Sequence, residues 1–176
     1  MIKTVYFNNE DNSLELIDQT LLPLKEVIIK CHTEVDVANS IIAMQVRGAP
    51  AIGVAAAYAV YLGLINPKNI EKKLSLEELL EQICDLLTGT RPTAVNLFYA
   101  VNRVRNAVLN LHTGDLEKAA EKALAEATAI FEEDLAMCHA IGKYGQELIG
   151  DSETWLTHCN AGALATSGYG TALGVF

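Results

Sequence analysis

Three stretches of this sequence place a charged or reactive side chain beside glycine or proline, where it could meet a small ligand. VRGAPAIG has Arg47 before Gly48, TRPTAVN has Arg91 before Pro92, and THCNAGALATSGYG has Cys159 at the start of a glycine-bearing loop. A guanidinium group offers forked donors that match a phosphate or carboxylate. A thiol can transfer a proton or act as a nucleophile. The three stretches therefore indicate anion binding together with acid–base or nucleophilic chemistry.

Both arginines are predicted to lie at the start of a helix. Gly48 and Pro50 interrupt one helical pattern just before AIGVAAAYAVYLGL, and Pro92 suits the first position of the helix that follows it. The exposed N–H groups and the dipole at a helix N-terminus favour an anion. A tight turn with a surface arginine and a plain helix start without a ligand stay open as alternatives.

Cys159 is predicted to end a strand within GDSETWLTHC, with a loop and a helix after it. Open α/β sheets bind ligands at the carboxyl ends of their strands. His158 would point to the opposite face of that strand, which argues against a Cys–His pair. A small buried apolar role is the alternative for Cys159. The loop is not G-x-G-x-x-G and the chain lacks G-K-[ST], so we expect no cofactor.

Composition limits the class of partner. The chain has 176 residues and a net charge of −9 without clustered Lys and Arg, which argues against nucleic acid and against an anionic membrane surface. The apolar run over residues 49–65 is broken by proline and glycine, so we expect no membrane span. With no visible secretory signal and no C-x-x-C pair, we expect reduced thiols in the cytoplasm. Adjacent Cys and His residues point in different directions, and we expect no metal site.

The elements that must position these residues change character along the chain. Two alternating runs, Thr4–Phe7 and Ser13–Ile17, predict a β-hairpin, and LPLKEVIIKC predicts a third extended segment. Thr33 with Asp36 resembles a capping box, and Ser75 is a second N-cap. Residues from about 33 to 149 then read as a helical bundle, with a buried helix after Gly48 and a polar loop at NPKNIEKKLS. The remaining residues read as the first strand, loop and helix of an α/β domain.

Three longer segments carry a family resemblance. MQVRGAPAIGVAAAYAV, TRPTAVNLFYAVNRV and LTHCNAGALATSGYGTALGV are similar to signature segments of the methylthioribose-1-phosphate isomerase family, and the opening LELIDQTLLPL also resembles the start of that family. The same superfamily contains the regulatory alpha, beta and delta subunits of translation initiation factor 2B. The resemblance runs through the chain in order and covers the N-terminal half of a family member.

The resemblance implies an activity and a set of site residues. The activity is the aldose–ketose isomerisation of 5-methylthioribose 1-phosphate to 5-methylthioribulose 1-phosphate, in which the ring opens and a hydrogen moves from C2 to C1. Arg47, Gly48, Ala49 and Arg91 match substrate-binding positions, and Cys159 matches the catalytic cysteine. The implied fold is α/β, with residues 1–149 as a β-hairpin plus helical domain and residues 150–176 as the start of a Rossmann-like catalytic domain.

The family's second half supplies a catalytic aspartate and most of the sheet, and no residue of this chain matches those roles. We therefore expect this chain to be inactive without that half, which could be a separate C-terminal fragment. The resemblance also implies a homodimer and a small sugar phosphate as the substrate. Two alternatives stay open: an isomerase of another pentose 1-phosphate, such as ribose 1,5-bisphosphate, and a non-catalytic regulatory subunit of the initiation factor 2B type.

Overall fold

A three-stranded antiparallel sheet opens the structure, a computed structural model that describes residues 3–150 and 154–176. The strands are β1 (Val5–Asn8), β2 (Ser13–Ile17) and β3 (Ile28–Cys31), in the order β1-β2-β3. Alternation places Val5 and Phe7 on the buried face, and the Phe7 ring stacks on Tyr58 of the bundle with centroids 4.9 Å apart. The predicted hairpin and the third extended segment are confirmed.

Six α-helices follow the sheet in the described residues. Thr33 and Ser75 form complete capping boxes with Asp36 and Glu78, so both predicted N-caps are confirmed. None of the helices in the described part of the chain is long and apolar enough to cross a membrane. The helices are α1 (Glu34–Ile42), α2 (Ala49–Ile65), α3 (Pro67–Ile70), α4 (Leu76–Thr90), α5 (Val95–Leu109) and α6 (Leu116–Gln146).

Helix α2 is the centre of the core. Every residue from Ala51 to Leu64 is buried, and the helix packs against α1, α4, α5 and α6. Its small residues allow this, because a Cβ atom on Gly53 would lie 2.9 Å from the carbonyl oxygen of Asn96 in α5. A helix that is apolar on all sides must be surrounded by protein. The prediction of a buried second helix is confirmed.

The stretch predicted as a polar loop after α2 differs from that expectation. It contains the single turn α3, and the side chains of Asn66 and Asn69 are buried. Their amide groups donate to the two carboxylate oxygens of Glu34, at 2.9 and 2.8 Å. The buried acid at the start of α1 needs donors, and these two asparagines supply them. Polar residues therefore anchor this connection inside the protein.

The start of α5 also differs from the sequence prediction. Pro92 does not begin the helix, because α5 starts at Val95. Arg91 ends α4 with φ −143° and ψ 82°, and the Ala94 N–H donates to the Arg91 carbonyl at 3.0 Å. A residue before proline is driven out of the helical region, so a turn separates the two helices. Arg91 thus lies in that turn and not at the helix N-terminus.

Residues 154–176 contain no strand in the structure, although the sequence predicts one ending at Cys159. A strand exists only when it is paired, and no other described segment pairs with this one. In place of the predicted helix there are two short 3₁₀ turns, Ala163–Ala165 and Ala172–Val175. The predicted strand and the predicted helix are therefore not formed within residues 154–176. The loop itself lies against the bundle.

Candidate functional site

The N-terminus of α2 has the features of an anion site. Gly48 is its N-cap with φ +99°, and no side chain caps the helix. The first turn carries no acidic residue, and Pro50 lacks an N–H group. The positive end of the helix dipole is therefore not compensated by a capping side chain or by an acid of the first turn. Arg47 precedes it with an exposed side chain, which adds a full positive charge.

The glycine-bearing loop packs directly on this helix start. A Cβ atom on Gly48 would lie 2.7 Å from the Ala165 Cβ and would overlap the Cα and carbonyl oxygen of that residue. Gly162 and Gly170 both have positive φ, and the backbones of these two residues touch. The structure therefore brings the first and third stretches together by backbone contact, which only glycine permits at Gly48.

Two polar side chains from the N-terminal region hold the loop in place. The Thr4 hydroxyl donates to the Ala163 carbonyl and the Gln19 amide donates to the Leu164 carbonyl, each at 2.7 Å. Their sequence separations are 159 and 145 residues. Sequence reasoning missed both residues. A threonine and a glutamine near a hairpin carry no local signal for so distant a partner.

A third side chain reaches the loop from α6. The Asp134 carboxylate accepts the Ser167 N–H at 2.7 Å, and its other oxygen lies 4.0 Å from the Cys138 sulfur. Burial raises the pKa of the Cys138 thiol, with the nearby Asp134 charge acting in the same direction, so this thiol stays protonated. The Ser167 hydroxyl is buried without a hydrogen-bond partner in the described residues. The loop is thus held from both the sheet and α6.

A buried carboxylate orders the residues just before Arg47. Asp18 accepts the Thr20 hydroxyl at 2.6 Å and the Gln45 amide at 3.0 Å, and the Gln19 N–H donates to the Gln45 carbonyl at 2.9 Å. These bonds, that to Thr20 foremost, lower the pKa of Asp18 below its ordinary value of 3.8. A charged acceptor makes stronger hydrogen bonds than a neutral one. Asp18 therefore connects the Arg47 segment to the glutamine that holds the loop.

The two predicted arginines are available for a ligand. Within residues 3–150 and 154–176, neither Arg47 nor Arg91 forms an ion pair, whereas Arg103 pairs with both Glu126 and Glu133. Arg91 is partly buried in the turn before α5. The contact of Gly53 with Asn96 brings the starts of α2 and α5 together. The second stretch thus joins the other two through α5.

Cys159 is the exposed thiol of the chain, and the other three cysteines are buried. The role of a small buried apolar residue therefore fits Cys31, Cys84 and Cys138 but not Cys159. Its backbone is left-handed, with φ +66°. No hydrogen bond joins it to Arg47 or Arg91 in the part of the chain that the structure describes. That Cys159 faces the two arginines therefore stays a prediction.

Two concave regions lie near these residues. A crevice of about 200 Å³ begins at Pro50 and Gly53 and continues past Asn96 to Asp134. A wider concavity of about 840 Å³ covers the outer face of the sheet and contains none of the predicted site residues. The smaller crevice is not lined by the predicted site residues either, although Pro50 and Gly53 belong to the first turns of α2. We place the candidate site at the start of α2 beside this crevice, where no side chain caps the helix. Among the described residues, no three His, Cys, Asp or Glu side chains are grouped to hold a metal ion.

Comparison with known sequences confirms the resemblance predicted above. The model of the initiation factor 2 subunit family matches residues 45–176. Methylthioribose-1-phosphate isomerase of Carboxydothermus hydrogenoformans is 47% identical over 172 residues, which are 98% of this chain and 49% of that protein. 5-Deoxyribose 1-phosphate isomerase of Moorella thermoacetica is 48% identical over 163 residues, or 93% of this chain and 46% of that protein. The chain spans about half the length of these relatives.

Solved structures show the same fold. A 5-methylthioribose 1-phosphate isomerase from Pyrococcus horikoshii superposes with a TM-score of 0.86 at 37% identity, covering 99% of this chain and 48% of that one. Subunit delta of the translation initiation factor eIF-2B from A. fulgidus superposes with a TM-score of 0.83 at 40% identity, covering 99% and 50%. The same fold therefore occurs in a protein named as an isomerase and in a protein named as a translation initiation factor subunit.

Proposed function

Because the chain belongs to the initiation factor 2 subunit family, we propose that it is one half of an aldose–ketose isomerase that converts 5-methylthioribose 1-phosphate to 5-methylthioribulose 1-phosphate. The observation that carries this proposal is the 47% identity with a methylthioribose-1-phosphate isomerase along 98% of the chain. The reaction belongs to methionine salvage. The uncapped start of α2 supports it, together with an arginine that forms no ion pair within residues 3–150 and 154–176, because the substrate is a phosphate ester.

The proposed phosphate clamp consists of Arg47, Gly48, Ala49 and Arg91. Backbone N–H groups at the start of α2 would bind phosphate oxygens, and the two guanidinium groups would supply charge-assisted hydrogen bonds. Gly48 serves twice, because it lets the loop approach and has no side chain that could cap the helix. Among the residues that the structure describes, neither arginine has an ion pair to break before it binds a ligand.

Cys159 is the proposed catalytic residue. Ring opening and hydrogen transfer from C2 to C1 require a proton donor or acceptor in a site closed to water. We propose that residues 150–176 begin a Rossmann-like domain whose remaining strands lie in the second half of the protein, while residues 1–149 form the helical domain. Once paired with those strands, residues 154–159 would form the missing strand. We also propose a homodimer in the cytoplasm.

Two other functions have specific support. The 48% identity with a 5-deoxyribose 1-phosphate isomerase indicates that the group on C5 is the uncertain part of the substrate, and ribose 1,5-bisphosphate is a further candidate. The TM-score of 0.83 with an eIF-2B subunit supports a regulatory protein. An exposed Cys159 beside the loop favours an enzyme, since a purely regulatory subunit has no need of a thiol there.

The proposal is tested on the natural gene product, whose mass is measured first. Turnover of the three sugar phosphates is then compared in the wild type, Cys159→Ser and Arg91→Ala, with Arg105→Ala as the matched control, because Arg105 is also partly buried and unpaired among the described residues. We expect both site variants to lose most activity and the control to keep it. Wild-type rates in both site variants would reject the assignment. We expect no turnover from residues 1–176 alone.

A further inference from the structure

Helix α6 carries an apolar face that continues beyond the helices it packs against. Its first half is buried against α2 and α5, and the same three- and four-residue spacing runs on through its second half. In the second half, however, the apolar residues on this face are exposed. The buried residues are Ala119, Ala123, Ala127 and Ile130. The exposed ones, here named the α6 stripe, are Met137, Ile141 and Tyr144 on the helix and Leu148 in the turn just after its end.

The lengths of the helices explain the exposure. Helix α6 has 31 residues, whereas α2 has 17 and α5 has 15. At a rise of 1.5 Å per residue, α6 is about 46 Å long and its partners only about 25 Å or less. The α6 stripe therefore extends past the bundle. A row of large apolar side chains on one helix face is typical of an interaction surface.

We propose that the α6 stripe is the docking surface for the domain that forms the second half of the relatives. The alignment covers 98% of this chain but only 49% of the isomerase from Carboxydothermus hydrogenoformans. The unmatched part of that relative is therefore a domain of similar size that could cover the α6 stripe. This inference rests on the half-protein part of the proposed function and not on the reaction.

The loop segment already lies along the neighbouring face of α6. Gly142 and Gly145 have no side chains, and the backbone of Gly174 and the side chain of Val175 occupy the space beside them. Ser167 is bonded to Asp134 one turn before the stripe begins. A domain joined to residue 176 would therefore start at the edge of the α6 stripe. This continuity favours the second half over a second copy of the chain as the occupant.

The test joins residues 1–176 to the unmatched half of the Carboxydothermus relative in one polypeptide. Ile141→Cys and Leu148→Cys report on the stripe, and Leu24→Cys is the matched control, since Leu148 is 85% and Leu24 91% exposed. Maleimide labelling at each site is followed by peptide mass spectrometry, which separates it from Cys159. We expect labelling of the stripe to be about tenfold slower in the chimera than in residues 1–176 alone, because a covered thiol reacts only during local opening. The control should be unchanged.

Equal labelling rates in both proteins would overturn the proposal. Protection of the stripe in residues 1–176 alone that rises with concentration would also overturn it, because a second copy would then be the occupant. If the chimera aggregates, the two halves are co-expressed as separate chains, and failure to form a complex there rejects the surface. Turnover by the chimera is measured separately, so protection without activity would reject the isomerase and keep the surface.

Discussion

Replacing Gly48 by alanine should destabilise the protein through two separate effects. The residue has φ +99°, a conformation that costs a non-glycine residue about 1–3 kcal/mol. The added Cβ would also lie 2.7 Å from the Ala165 Cβ and closer still to backbone atoms. Backbone atoms cannot rotate away as a side chain can, so one of the two segments must move.

The size of the loss follows from these terms. Overpacking in a buried contact costs about 1–3 kcal/mol, which gives a total of roughly 2–6 kcal/mol with the strain. Moving the loop away from residue 48 would also cost free energy, because it would break the hydrogen bonds from Thr4 and Gln19, each of which contributes about 1 kcal/mol. Gly48→Ala should therefore remove a large part of a typical folding free energy.

Urea unfolding of Gly48→Ala and Gly89→Ala measures this effect against a matched control. Gly89 lies within α4, and a Cβ atom there would meet no atom within 4 Å. Alanine at that position should stabilise the protein by about 0.4–1 kcal/mol, since it restricts the unfolded chain. Neutral surface substitutions usually change the free energy of unfolding by no more than about 0.5 kcal/mol. If the free energy of unfolding of Gly48→Ala lies within that range of the wild-type value, the close approach of the loop is refuted.

Three further substitutions test other parts of the structure. Glu34→Ala leaves the buried Asn66 amide without its acceptor and removes one of the two acceptors of Asn69, so it should lower the free energy of unfolding by about 1–3 kcal/mol, with a smaller loss in Glu34→Gln, measured by thermal melts. At pH 7, Asp18→Asn should have a lower free energy of unfolding than the wild type. Because the pKa of Asp18 in the folded protein lies below 3.8, this difference in stability should be complete above pH 3.8 and should vanish as the pH falls through the folded pKa. A pH-independent difference would contradict this. Thr4→Val removes the bond to Ala163 and should speed amide exchange in residues 162–168 while exchange in α2 is unchanged.

Local signals account for what the sequence predicted well. The capping boxes at Thr33 and Ser75 involve residues three apart, and each lies where the sequence indicates. The burial of α2 follows from its composition alone, because a helix without a polar face has no other stable environment. Pro92 misled the prediction: the residue before it leaves the helical region and ends α4, but the next helix begins three residues after the proline, at Val95.

Long-range contacts account for what could not be predicted. The bonds from Thr4 and Gln19 to the loop depend on the whole fold, and no spacing rule connects them. The buried group of Glu34 and two asparagines has the same origin, because its members come from separate elements. Within the site, the sequence shows only that the Gly48 stretch and the loop share a pattern of glycine beside a polar residue. It does not show that Gly48 and the loop are in contact. The position of Cys159 relative to the arginines stays a prediction.

The bond between Thr4 and Ala163 also sets an order of events during synthesis. The two residues are 159 positions apart, and ribosomes add about 5–20 residues per second, so roughly 8–30 s pass between their appearances. The hairpin and the helices make mostly nearby contacts and can form within that interval. The helix start at Gly48 is therefore assembled first and waits, open to solvent, for the loop. A released chain that ends before residue 163 should already contain the folded bundle, with its proposed phosphate clamp uncovered.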